Sequence, residues 1–458
     1  MDPVEIEMVA REVDDLQEAL DGERARHVCG IELEPALARL FAARSRAAHR
    51  DTVSALREAG REDLARRVAA LRAERAQAEE EEAWRAAESA ARGRGPDGEA
   101  SLAALEEAAL REPDRERRLQ LASAAAGALE PAMAAREAAA EKRARARAEV
   151  GLAPDWRAVV DGDQALAASD DAWRDVLAFR VRRDLGLAPA PAGPLVRADL
   201  LHLLALRRWD GLLPPGMLAV AVKLTLEPLG LGLTRIRIDD AGRPAQWAGA
   251  HVQGARVSFR PRGGAGDWQD LLGAAGRALA AAAVPASRRD GGLGEALAWL
   301  LGSLLLEPRW LAERASVERR HAPDLVRDLA LRRLLGLRAA SAALRVATEV
   351  ERGLSGAAWR EGYREALTLA TGAAWEGVRA ARDSDAAALG AALAGAGAGE
   401  ALRREVRERL DEDWWRNPRT APFLAGFLAA GALPAADRAP EPALAARHLV
   451  ARLEGKLG

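Results

Sequence analysis

Only two short stretches of this 458-residue chain, "TRIRIDDAG" and "ARVSFRP", alternate apolar and polar residues convincingly with a period of two. In the first, Ile236 and Ile238 alternate with Arg235 and Arg237; in the second, Val257 and Phe259 alternate with Arg256, Ser258 and Arg260. That pattern suits half-buried antiparallel strands. Elsewhere apolar positions follow helical spacing, and the apolar share of 49% comes mostly from Ala and Leu, which favour helix. The expected fold class is therefore mainly α, of the α+β kind, with one small antiparallel sheet.

The chain divides by character. Residues 4 to 147 read as successive charged helices, broken near "CGIELEP", "GREDL", "GRGPDGEAS" and "REPDRE". The stretch "RRVAALRAERAQAEEEEAWRAAESAAR" projects as one long charged helix, and its like-charge blocks read as a solvated face. From about 150 tryptophans become frequent, and "LGLAPAPAGPL" at 185–195 supplies a connection. Two units are expected, an N-terminal helical region at 1–150 and a second domain at 151–458. Helices are expected at 197–208 and 217–226 before the strands. "ALAWLLGSLLL" at 296–306 is too short to span a bilayer and should form a buried helix.

With 67 basic and 69 acidic residues there is no overall field to recruit nucleic acid or anionic lipid. "EKRARARAE" is flanked by acids and has no interleaved aromatic platform, so no nucleic-acid partner and no membrane insertion are expected. Cys29 is the single cysteine, which excludes an intramolecular disulfide and a cysteine-rich metal site, and it reads as a core residue. The start "MDPVEIEMVAREVDD" has no basic, apolar signal pattern, so a cytoplasmic location is expected. The Ala, Arg and Leu excess fits a GC-rich, bacterial genome. "GAALAGAGAGEAL" follows no strand and fits no dinucleotide fingerprint. The twelve tryptophans read as large fillers among many alanines, Trp414 and Trp415 included.

The segment "PRGGAGDWQDLLGAAGRALAAAAVP" at 261–285 reads as a helix capped by Asp267, running to 283 and stopped by Pro285. Leu272, Ala275 and Leu279 share one face; Gly273, Ala274 and Arg277 lie towards another. A strand ending in "RPRGG", an aromatic, "LL", this helix and a following helix "GEALAWLLGSLLLEPRWL" together resemble the core of the oligoendopeptidase-type (thimet oligopeptidase-like) zinc metallopeptidases. Their pattern is R-P-x-G-G-x-x-D-[YW]-x-x-L-L-H-E-A-G-H-A, and the resemblance covers about 150–435. It implies a large helical fold with the small sheet beside a central cleft.

In that resemblance the two zinc histidines correspond to Gly273 and Arg277, the general base to Ala274 and the glutamate ligand to Glu295, the one position retained. Glycine and alanine neither ligate nor accept a proton, and arginine repels a dication. His27, His49, His202, His251, His321 and His448 show no paired ligand spacing, and the lone Tyr363 lies on a helix where packing is its expected role. The resemblance thus implies a non-enzymatic pseudo-peptidase with no cofactor and no metal, binding a protein or peptide partner, an active peptidase relative among the options, or acting as a structural subunit. A peptide would add to an edge strand carrying Arg256, Ser258 and Arg260. Two other readings stay open: an enzyme of non-zinc chemistry in the same cleft, and a helical scaffold unrelated to peptidases. Without zinc, Glu295 needs another cation, and Arg277 is the candidate; the alternative leaves Arg277 in solvent and Glu295 near the positive end of its helix.

Overall fold

The computed structural model describes residues 1–152, 154–187, 195–229, 235–431 and 441–456. The expected connection at 185–195 therefore lies largely outside the described residues. The N-terminal third is helical: Pro3–Val28 (α1), Leu37–Ala43 (α2), Arg50–Glu58 (α3), Glu62–Ala76 (α4), Ala78–Ala90 (α5), Leu102–Arg111 (α6) and Arg115–Glu149 (α7). Asp2 starts α1 with a reciprocal capping box to Glu5, satisfying amides that no helix can pair internally. The expected single charged helix is two, hinged at Gln77. Its charges are not simply solvated either: Glu81, Arg85 and Glu88 are buried, with Arg24 on Glu81 and Arg136 on Glu88.

The break read at "GRGPDGEAS" is a hairpin of Arg92–Gly95 (β1) and Gly98–Ser101 (β2). Pro96 and Asp97 form its turn, and Gly98 takes a φ of 114°, open to glycine at no steric cost.

Then follow Trp156–Ala167 (α8), Asp170–Leu185 (α9), Arg197–Leu204 (α10), shorter than expected, and Pro215–Leu226 (α11). The second sheet consists of Arg237–Asp239 (β3), Gly249–Gln253 (β4) and Arg256–Arg260 (β5), in the order β3-β5-β4. Its β4 and β5 are antiparallel, but β3 runs parallel to β5, so the two stretches read from sequence are not antiparallel to each other. The reason is β4: the chain reverses between β3 and β4 and again through Gly254 between β4 and β5, so β3 and β5 point the same way.

The remaining chain is Gly266–Ala283 (α12), Gly291–Gly302 (α13), Pro308–Arg314 (α14), Ala322–Glu351 (α15), Gly356–Thr371 (α16), Ala386–Leu410 (α17), Thr420–Ala429 (α18) and Pro442–Leu453 (α19). Apolar burial drives this assembly. Its largest core runs through α12, α13, α15, α17 and α19 and includes the fully buried Trp268, Trp310, Trp414 and Trp415. The apolar run at 296–306 is almost wholly inside it, and Cys29 is buried elsewhere. A second core joins residues 102–140 to residues 342–380, crossing the expected boundary at 150, and a third lies within residues 9–78 together with Val150. Among the described residues no helix is long and apolar enough to cross a membrane.

Candidate functional site

The loop between β5 and α12 is positioned by paired glycines. Gly263 and Gly264 have φ of 91° and 99°, and a Cβ on Gly264 would stand 1.9 Å from the Ala205 carbonyl oxygen at the end of α10. Only glycine allows this approach. Asp267 does not act as the expected cap: it sits inside the first turn and accepts the amides of Arg262 at 3.2 Å and Gly263 at 2.8 Å, tying the loop to the helix.

One face of α12 locks it into the core. Trp268, Leu271, Leu272, Ala275 and Leu279 are almost fully buried, and the Trp268 indole donates to the Leu213 carbonyl at 2.9 Å. Ala274, expected on the functional face, is completely buried instead, because adjacent helical positions are about 100° apart. Asp270, Gly273 and Arg277 fall at the i, i+3, i+7 spacing of one helical face, with Gly273 buried and Arg277 exposed. Asp270 accepts from Arg332 of α15 at 2.9 Å, a partner that sequence spacing did not reveal. Burial works to raise the Asp270 carboxyl, but Arg332, with Arg262 and Arg277 farther off, outweighs it and holds the group below the usual carboxylate value.

Arg277 reaches across to α13, where its Nε donates to Glu295 Oε1 at 2.7 Å. Partial desolvation disfavours charge on Arg277, yet the Glu295 carboxylate more than compensates and raises its pKa. Glu295 does not cap α13, since Asp290 does so by accepting the Gly292 amide at 2.9 Å. The two helices approach closely enough for this pair because residue 276 is glycine: a Cβ there would lie 2.5 Å from the Ala298 amide nitrogen. Behind α13, the unassigned "GAGAG" run performs the same service for α17, where a Cβ on Gly395 would lie 2.2 Å from the Glu295 Cβ.

The strand expected to receive a peptide is not an edge. Its residues Arg256, Ser258 and Arg260 lie on β5, the central strand, whose backbone is paired on both sides. Their side chains are also engaged: Arg256 lies 3.7 Å from Glu18, Arg260 donates to Glu107 at 3.3 Å, and Ser258 is buried between Gln246 and the Val28 carbonyl. Alternation identified the strand, but periodicity carries no information on strand order. Tyr363 is buried on α16 and donates to Asp383. Among the described residues no three His, Cys, Asp or Glu side chains gather as a metal-binding group.

No protein-family model matches the sequence. No curated protein matches it either. Solved structures do match by fold. Pz peptidase A with a bound inhibitor superposes at a TM-score of 0.60 and 14% identity, over 98% of this chain and 86% of that one. A protein assigned as an oligoendopeptidase F gives 0.59 and 12%, over 99% and 96%, and another so assigned, from Bacillus anthracis str. Ames, gives 0.55 and 11%, over 100% and 86%. The chain is thus a mainly helical protein with the fold of the oligoendopeptidase F and Pz peptidase structures.

Proposed function

We propose that the chain is a pseudo-peptidase: a peptidase-like fold without hydrolytic activity that serves as a protein- or peptide-binding or structural subunit. The observation that supports it is the 2.7 Å Arg277–Glu295 pair. Zinc, which the motif resemblance implies for this helix pair, does not fit these residues. Glu295 is the one ligand-type side chain of the four, a guanidinium already holds it, and a permanently charged arginine opposes a dication. With Ala274 as the residue after Gly273, no general base stands beside such an ion. The fixed cation of Arg277 takes over the task of neutralising Glu295. A peptide that bound by strand addition would use an outer strand of the sheet, β3 or β4, rather than β5.

Elemental analysis of the purified protein, together with hydrolysis assays on fluorogenic peptides, tests this reading. The expected result is neither zinc nor hydrolysis. One zinc per chain, with peptide cleavage abolished by Glu295→Ala, would overturn it.

A further inference from the structure

A second concavity, separate from the α12–α13 pair, opens between the N-terminal helices and the loop before β4. It encloses about 640 Å³. Arg92, Arg136, Arg197, Arg262, Arg379 and Arg382 all line it, against the carboxylates of Glu88, Glu106 and Glu107. Those carboxylates are already matched. Glu88 is bridged by Arg136 and Arg382, Glu106 by Arg379 and Arg382, and Glu107 by Arg111 and Arg260.

Three arginines are matched less completely. Arg197 has its Nε buried without a hydrogen-bond partner, and the carboxylate within its reach, Glu376, stands 4.0 Å away. Arg262 donates to the Ala248 carbonyl at 2.7 Å and Arg92 to the carbonyls of Ser89 and Ala91. Among the described residues neither guanidinium has a carboxylate within 4.0 Å. Desolvating a guanidinium with only a distant counter-charge is unfavourable, and burial with neighbouring Arg379 outweighs Glu376 and Glu106 and pushes the Arg197 pKa down to about 10. Apolar and aromatic side chains make up much of the remaining wall: Leu102, Leu110 and Leu201 line it, with Trp247 edge-on to His251 at 5.4 Å.

We propose that this cavity is a binding site for an oxyanion, carboxylate or phosphate, carried on a small apolar body. The anion completes the hydrogen bonding that Arg197 lacks, with Arg262 and Arg92 supplying further charge, while the leucines and Trp247 take the apolar part. A volume of this size suits a small organic ligand or a short peptide segment. Charge-assisted hydrogen bonds from arginine are the strong kind and match both oxyanions in geometry.

Calorimetric titration of the full chain with inorganic phosphate, glutarate and a tetraglutamate peptide tests the site. At least one is expected to bind saturably, more weakly as salt rises. The Arg197→Met and Arg92→Ala variants should each weaken that binding by about tenfold, as loss of a charged hydrogen bond does. Binding of phosphate alone assigns a phosphate ligand; binding of glutarate or the peptide assigns a carboxylate. No saturable binding by any of the three at millimolar concentration overturns the proposal, as do unchanged affinities in folded variants. Arg92 is exposed at the rim, so Arg92→Ala decides the matter even where Arg197→Met does not fold. The Arg277→Ala variant should leave the affinity unchanged, which separates this site from the fate of the pseudo-peptidase reading.

Discussion

Arg277 and Glu295, eighteen positions apart on two helices that cross through Gly276, meet at 2.7 Å with the arginine side chain 43% and the glutamate side chain 23% exposed. Exposure decides what the pair is worth. A buried pair broken on one side would cost about 3 kcal/mol, but one open to water and salt couples by about 0.5–1 kcal/mol. A double-mutant cycle with Arg277→Ala and Glu295→Ala, read by urea denaturation, should give that smaller coupling and lose it at high salt. A coupling indistinguishable from zero at low salt would mean that the pair does not form in solution.

The same geometry predicts that a metal site can be installed. A Cβ built on Gly273 meets nothing closer than 3.8 Å, so a larger side chain has room to start there. Combining Gly273→His with Arg277→His places two imidazoles one turn apart and frees Glu295, the ligand set of a three-protein-ligand zinc site. Elemental analysis should find about one zinc per chain in the double variant and none with Arg277→His alone. Peptide hydrolysis should remain absent, because Ala274 supplies no base. A double variant that binds no zinc would show that these helices are not spaced as argued.

The α13–α17 crossing should not tolerate a methyl group at Gly395. The added carbon would sit 2.2 Å from the Glu295 Cβ and 2.9 Å from the Ala296 amide nitrogen, and backbone yields less readily than a flexible side-chain end. Gly395→Ala is expected to destabilise by about 2 kcal/mol through overpacking, despite the higher helix propensity of alanine. Chemical denaturation measures this, and a neutral or stabilising result would disprove the close approach.

His27 gives the protein an acid-side stability slope. It is 1% exposed, its ring nitrogens have no hydrogen-bond partner, and burial, with Arg85 nearby, pushes its pKa from 6.5 down to about 4. Between those values the unfolded chain takes up the proton and the folded one does not, so stability is complete above pH 6.5 and falls as pH drops towards 4. The loss is about 3 kcal/mol across that window. His27→Phe, which retains an aromatic ring beside Trp247, should flatten the slope in denaturation curves measured between pH 4 and 7. An unchanged slope would place the titration elsewhere.

Much of the architecture was legible in one dimension. Helical spacing and small apolar residues identified the helices, Pro285 stopped α12 near its observed end, and alternation located β5 to within a residue. The hairpin of β1 and β2 was missed because "RGRG" and "GEAS" have no apolar alternation; their pairing follows from the Pro-Asp-Gly turn between them. The strand β4 was missed for a related reason. "GAHVQ" is too short and too mixed to signal a strand until β5 lies beside it.

Residue chemistry at the candidate site was likewise a property of the sequence alone. Gly273, Ala274 and Arg277 offer no zinc ligand set in any conformation, and Glu295 carries a charge that has to be answered. Which cation answers it, and how exposed the answer is, depended on the crossing of α12 and α13, which brings residues eighteen positions apart to hydrogen-bonding distance. The place of β5 at the centre of its sheet, the burial of Ala274, and the three incompletely matched arginines around one cavity were also decided only by tertiary structure. Period and propensity are set by each residue's near neighbours along the chain. Strand order, helix crossing and counter-charge are set by neighbours in space, which the linear pattern does not encode.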